Sequence, residues 1–163
     1  MKSSRSSYPE SLIQCGLPED LAKVDHRRWF RPHPTQSTGY WCEAGDTLEI
    51  VCSFNGRKPS VAPELWIIPV AHFPESDNTS RQIVQLGFGN QLITAASRGV
   101  IYFAPLNFPT DTAITAQIVS GGRPMPRYRL QEDTSQDWAQ ALADYPDAFY
   151  GELAGRRMIV TMP

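Results

Sequence analysis

The sequence predicts a mainly β protein: an antiparallel β-sandwich with a short N-terminal helix and a late C-terminal one. Three observations predict it. Runs of alternating apolar and polar residues recur at intervals of about ten to fifteen residues. Turn-forming residues separate them: 14 prolines and 11 glycines among 163 residues are too many for a helical bundle. No helical periodicity is interleaved between the strands, which argues against a parallel sheet built from βαβ units. The length is about that of one domain. With 41% hydrophobic and 20% charged residues, the chain is globular rather than disordered.

The elements follow in order. Residues 1–28 form a polar N-terminal segment, in which Pro18 to Val24 fits one short helix with proline in its first turn. Residues 29–163 read as the β-sandwich. Arg31 to Gly39 reads as loop, because two prolines and small polar residues favour nothing regular. Tyr40-Trp41-Cys42 is a short strand, and Glu43 to Asp46 is its turn. Thr47 to Phe54 alternates, with Leu48, Ile50, Cys52 and Phe54 on one face. Asn55-Gly56 is a turn signal. Leu65 to Val70 is rich in strand formers, and Pro69 ends it or places it at an edge. Arg81 to Leu86 is a weaker strand, and Gly87-Phe-Gly-Asn90 reads as a hairpin turn. Leu92 to Ala95, Val100 to Phe103 and Ala113 to Val119 complete the series before Gly121-Gly122 breaks it. Thr134 to Asp144 is the one clear helix, capped by Thr134 or Ser135, with Trp138 and Leu142 on one face. Trp138 is expected to dock it on the sandwich. Met158 to Met162 is a final strand. The expected core is Leu48, Ile50, Ile67, Ile101, Phe103, Ile114, Ile118 and Ile159. Gly39, Gly45 and Gly99 are expected at turns or close approaches.

Charge and patterning exclude several functions. A net charge of −2 gives no basic face for nucleic acid and no polybasic anchor. The longest apolar run is too short to span a bilayer. The N-terminus, Met1 to Pro9, is basic but lacks an apolar stretch, so no secretory leader is expected. Cys15, Cys42 and Cys52 are odd in number and show no C-x-x-C spacing. Cys42 and Cys52 fit either a disulfide between strands or two small buried apolar residues.

The search for chemistry returns little. His26, His33 and His72 include no pair four apart, so H-E-x-x-H is absent. There is no nucleophile elbow and no phosphate-binding loop. No catalytic residue and no metal ligand is named. What remains is aromatic. Tyr40, Trp41, Trp66 and Tyr102 lie on strands, and His72 follows one directly. These five are the candidate binding residues, since an aromatic ring offers an apolar face to a sugar while its polar tip stays wet. The competing reading places the same rings in the core.

Several segments together resemble the enhancin-like, mucin-degrading zinc metallopeptidases, which include bacterial accessory-colonisation-factor-like proteins and insect-virus enhancins. The run Ser37-Thr-Gly-Tyr-Trp-Cys-Glu-Ala-Gly-Asp46, followed by Thr47-Leu-Glu-Ile-Val51, is similar to the family's opening strand, Ala-Gly-acidic turn and second strand. Leu65-Trp-Ile-Ile-Pro-Val-Ala-His72 resembles its strand ending in histidine. Arg98-Gly-Val-Ile-Tyr-Phe103 resembles its Gly-Gly-Leu-Ile-Tyr-Ile segment, with arginine for one glycine. Ile114 to Gly121, Pro126-Arg-Tyr-Arg-Leu130, Asp137-Trp138 and Tyr150-Gly-Glu-Leu153 through Pro163 follow in the family's order. The resemblance covers residues 29–163.

It implies a non-catalytic N-terminal β-sandwich domain of a secreted-type zinc metallopeptidase acting on mucin-like glycoproteins. The implied partner is a C-terminal protease domain, with glycans or glycoproteins as further partners, and the implied location is secreted or at the cell surface. The implied zinc belongs to the protease domain, and no zinc ligand is carried over to this chain. Two other readings compete: a free-standing carbohydrate-binding, lectin-like module, and a protein-interaction domain. An independent enzyme fits least.

Overall fold

The computed structural model describes residues 11–13, 35–69, 81–104, 113–155 and 159–162. The expected helix after Pro18, together with Cys15, His26, His33 and His72, lies outside them. The described chain is mainly β, with antiparallel pairing throughout except at one pair of short strands.

The described residues form twelve strands in chain order: β1 (Ser11–Ile13), β2 (Gln36–Cys42), β3 (Thr47–Asn55), β4 (Glu64–Ile68), β5 (Gln82–Gln85), β6 (Gly89–Thr94), β7 (Gly99–Ala104), β8 (Ala113–Ser120), β9 (Arg123–Pro124), β10 (Arg127–Arg129), β11 (Gly151–Ala154) and β12 (Ile159–Met162). One helix, α1 (Ser135–Asp144), lies between β10 and β11. The strands form a four-stranded sheet, β1-β8-β3-β6, a five-stranded sheet, β5-β4-β7-β2-β9, and a three-stranded sheet, β10-β11-β12.

The alternating pattern explains the sandwich. Leu48, Ile50 and Cys52 of β3 and Ile114, Ala116 and Ile118 of β8 point from the four-stranded sheet into one core. Leu65 and Ile67 of β4 and Ile101 and Phe103 of β7 meet them from the five-stranded sheet. The intervening residues of β3 and β8 face outward and are partly or fully exposed, as a sheet with one solvated face requires. In β7 every residue is buried. The five-stranded sheet is therefore covered on both faces. Its second face carries Trp41, Trp66, Ile68, Val100, Tyr102 and Ala104, packed with Met125 and Tyr150 from the C-terminal segment. The three-stranded sheet and its flanking loops make a third layer.

Two expected turns prove to be crossings between sheets. Glu43 to Asp46 joins β2 of the five-stranded sheet to β3 of the four-stranded one. Gly87–Phe88 joins β5 to β6, again across the sandwich, and is not a hairpin. At the far end of these two strands Gln82 ties the sheet edges, donating to the Thr94 carbonyl at 2.9 Å and accepting from the Ala96 amide at 2.7 Å. Gly99 sits where expected, at a close approach: a Cβ would lie 2.8 Å from the backbone of Ile68. Gly39 has φ +75° at an irregularity in β2, where the chain advances from Ser37 to Tyr40 while β7 moves only from Tyr102 to Ile101.

Other expectations are corrected. Residues 36–39 belong to a strand rather than a loop, and Ser11–Ile13 pairs with β8 from within the polar N-terminal segment. Ile159 is 39% exposed rather than core, because β12 ends the order of the smallest sheet. Helix α1 is capped as expected, by a reciprocal box in which Thr134 and Asp137 each accept from the other's backbone amide. No residue of it is buried, however. Trp138 rests edge-on against Tyr128 of β10 at 5.9 Å. A Cβ at Gly151 of β11 would touch its ring at 3.4 Å. The helix docks on the third layer, not on the sandwich.

Candidate functional site

Three of the five candidate binding residues have their rings buried beneath the third layer. Trp41 is 3%, Trp66 7% and Tyr102 8% exposed. Trp66 donates from its indole nitrogen to Glu64 at 2.7 Å, and the Arg81 guanidinium lies 4.4 Å from its ring centre. The hydroxyl of Tyr102 bonds that of Thr161 on β12 at 2.9 Å. Trp41 meets Tyr150 edge-to-face at 6.0 Å. Rings held this way lack the open face that stacking on a sugar needs. Tyr40 packs on the opposite side, against the sandwich core. His72 lies outside the described residues.

On the inner side of the third layer sits a residue that the sequence reading did not single out. Glu152 of β11 is fully buried. The Ser37 hydroxyl donates to its Oε1, and Thr161 lies 3.4 Å from the same oxygen. Its Oε2 has no hydrogen-bond partner among the described residues and faces the Arg127 guanidinium at 3.6 Å. Burial pushes its acidity down and its pKa up, while the Ser37 bond, the Arg127 charge and Thr161 oppose that shift. Burial also pushes Tyr102 up to about 12. The irregularity at Gly39 aids this arrangement, because Ser37 also accepts from the Gly39 amide at 3.1 Å. The cluster joins β2 and β7 of the five-stranded sheet to β10, β11 and β12, and it positions the third layer on that sheet. Enclosed on all sides, Glu152 is a positioning residue.

Cys42 and Cys52 are free and buried within the sandwich core. Burial raises their thiols to about 12 and about 11, so neither is a ready nucleophile or thiolate ligand. Among the described residues, no three His, Cys, Asp or Glu side chains converge as a metal would require. The described residues thus offer zinc no ligand set.

At one end of the five-stranded sheet the same layers meet the surface. The carboxylate of Glu43 pairs with Arg98 at 2.7 Å and approaches Arg123 at 3.9 Å. Arg123 also pairs with Asp46 at 3.3 Å and lies over the Trp41 ring at 5.2 Å. Arg98 lies over Phe149 at 4.3 Å, Phe149 meets Tyr150 at 5.1 Å, and Tyr150 meets Trp41. The contacts close a ring: Trp41, Arg123, Glu43, Arg98, Phe149, Tyr150. Phe149 is 45% exposed. Sequence reading missed it because an isolated aromatic in a loop carries no periodic signal.

This fold has counterparts among solved structures. The catalytic module of the metalloprotease ZmpA from Clostridium perfringens superposes with a TM-score of 0.73 at 16% identity, over 98% of this chain and 35% of that one. A functionally unknown conserved protein from Bacillus anthracis, in mutant form, matches with a TM-score of 0.68 at 24% identity, over 94% of this chain and 30% of that one. A catalytic domain of Clostridium perfringens ZmpC in complex with the sialyl T antigen matches at 0.70 and 16% identity, over 94% of this chain and 33% of that one. This chain shares their fold. It spans about a third of their length. No family profile matches the chain, and no curated protein matches it.

Proposed function

We propose that this chain is the β-sandwich portion of an enhancin-like zinc metallopeptidase that acts on mucin-like glycoproteins. Its role is non-catalytic: it buttresses a protease domain and helps to present glycosylated substrate. One observation carries the reading. The whole layered fold, over 98% of the chain, recurs within a metalloprotease catalytic module of which it fills only 35%. The ordered motifs from Ser37 to Pro163 point to the same family. The zinc belongs to the protease domain, and the chemistry with it. The setting is secreted or at the cell surface.

The test begins with the reading frame around these residues in the source genome. The expected result is an in-frame H-E-x-x-H with a later glutamate. The full-length protein should then cleave a mucin-type glycoprotein and lose that activity on chelation. A frame that encodes no such motif overturns the reading.

A further inference from the structure

We propose that strand β6 is the pairing edge of a symmetric dimer, and that its partner is the β6 of a second copy of this chain.

β6 ends the four-stranded sheet, and among the described residues no strand pairs with its outer side. The direction of its backbone groups follows from the register. Ala95 donates to the Asp46 carbonyl at 2.9 Å and accepts from the Gly45 amide at 2.8 Å, so its backbone faces β3. Bonded and non-bonded pairs alternate along an antiparallel ladder. Ile93 and Gln91 therefore also bond β3, while Asn90, Leu92 and Thr94 turn their N–H and C=O groups outward. Leu92 is 71% exposed, more than any other large apolar residue described.

Two glutamines bound the open stretch. Gln82 occupies the Thr94 carbonyl at 2.9 Å. At the other end Gln91 holds both backbone groups of Gly87, accepting at 3.0 Å and donating at 2.9 Å. Between these contacts the amides and carbonyls of Asn90 and Leu92 stay open. A second copy running antiparallel, with its Leu92 opposite Asn90, satisfies all of them through four bonds. That register leaves the Gln82 contact in place. It also sets the two Leu92 side chains diagonally on one face, within reach of each other.

Charge selects a copy of this chain over a foreign strand. Exposed edges are usually guarded by lysine, proline or a bulge. From Gln82 to Ser97 there is no charged residue and no proline, and β6 runs in unbroken register with β3. A strand so neutral has nothing to attract a charged segment and nothing to repel its own image. The charge beside it, Glu49 on β3, is held by Asn90 at 2.7 Å and Ser120 at 3.1 Å. Its image in the dimer lies three strand spacings away, about 14 Å. That exceeds the screening length of about 8 Å at physiological salt. β5 enlarges the contact on the same side. It ends the five-stranded sheet, and Leu86 donates to the Pro63 carbonyl at 3.1 Å, so by the same alternation Ile83 and Gln85 turn their backbone groups outward. A two-fold pairing uses up the open stretch of β6 and closes at two copies.

The test is sedimentation velocity over a concentration series, with amide exchange measured at its dilute and concentrated ends. The expected result is a rise towards twice the monomer mass as the concentration approaches millimolar. The Asn90 and Leu92 amides should exchange freely when dilute and slowly when concentrated. Leu92→Pro removes an amide hydrogen that faces away from β3, so the ladder within the chain survives and each dimer loses two of its four bonds. Its dissociation constant should rise about tenfold or more. Leu92→Lys keeps every backbone group and sets two like charges diagonally across the contact, and it should weaken the dimer as well. In both variants β3 and β8 should keep their amide protection. Three results would each overturn the proposal. One is a single monomer mass up to millimolar concentration, which leaves the edge to a strand of another protein or to none. Another is a dimer that both variants leave intact. The third is a dimer in which the Leu92 amide exchanges equally fast at both ends of the series.

Discussion

The two faces of the five-stranded sheet are both buried, yet they are sealed by different means. The inner face meets the four-stranded sheet through Leu65, Ile67, Ile101 and Phe103, aliphatic or aromatic groups with nothing to hydrogen-bond. The outer face meets the third layer through Trp41, Trp66 and Tyr102, and through the polar contacts of Ser37, Thr161 and Glu152. The same strands supply both, one residue apart. The inner contact is non-directional and tolerates sliding until side chains interlock. The outer contact is directional, because a buried carboxyl is tolerable only in one position, against its donors. The inner face therefore makes the fold, and the outer face places the third layer and, through Tyr150, the exposed Phe149.

Mutations can break or sharpen this contrast. Phe103→Ala, on the inner face, should have the largest effect, about 3–5 kcal/mol in chemical denaturation, with the whole chain losing stability. Glu152→Ala should cost less, about 2–3 kcal/mol, from a cavity and a Ser37 hydroxyl left without its acceptor. Its signature should be local: faster amide exchange in β11 and β12, with β3 and β8 still protected. Uniform loss of protection in both sheets would erase the distinction between the faces.

The contrast also has a pH dependence. The groups facing Glu152 are Ser37 and Tyr102 from the five-stranded sheet and Arg127 and Thr161 from the third layer. Its carboxyl is raised from an ordinary value of 4.5, so the folded state binds the proton more tightly than the unfolded state. The stability it contributes is present at acid pH and lost as pH rises through the raised value. Glu152→Gln, which stays uncharged, should flatten that part of the pH profile of thermal unfolding. An unchanged profile would remove Glu152 as its source.

Smaller effects complete the series. Trp138→Ala should cost about 1–2 kcal/mol, below the figure for a fully buried tryptophan, because the ring is half-buried against Tyr128 and Gly151. A loss of 3 kcal/mol or more would mean that the helix reaches the sandwich after all. Phe149→Ala should leave the melting midpoint nearly unchanged, as surface substitutions do.

The contrast also explains what could be read in advance. The inner face was legible because alternation over eight or nine residues, as in β3 and β8, is a strong periodic signal. Leu48, Ile50, Ile67, Ile101, Phe103, Ile114 and Ile118 all fall in the core. The outer face was not legible. β9, β10 and β11 have two to four residues each, too few for any period to register. Arg127-Tyr-Arg129 becomes a strand only by pairing with β11. Glu152 reads as one more surface charge until Ser37, 115 residues earlier, is brought against it. Trp41 and Trp66 stand out in the sequence for their rings, but only the third layer shows that those rings are covered.

The strand order has a consequence for how the molecule comes into being. Ser11 lies opposite Ala116, and Phe54 lies opposite Ile114. On the ribosome, β1 and one edge of β3 must wait for β8 to be made. Until then, Leu48, Ile50 and Cys52 are shielded on that side by no neighbour, and β6 alone can pair with their strand. Pairings so distant in sequence close slowly, since chain entropy is lost before contacts form. Synthesis past Ser120 is the point at which the sandwich can first close and its apolar strands leave the reach of other nascent chains.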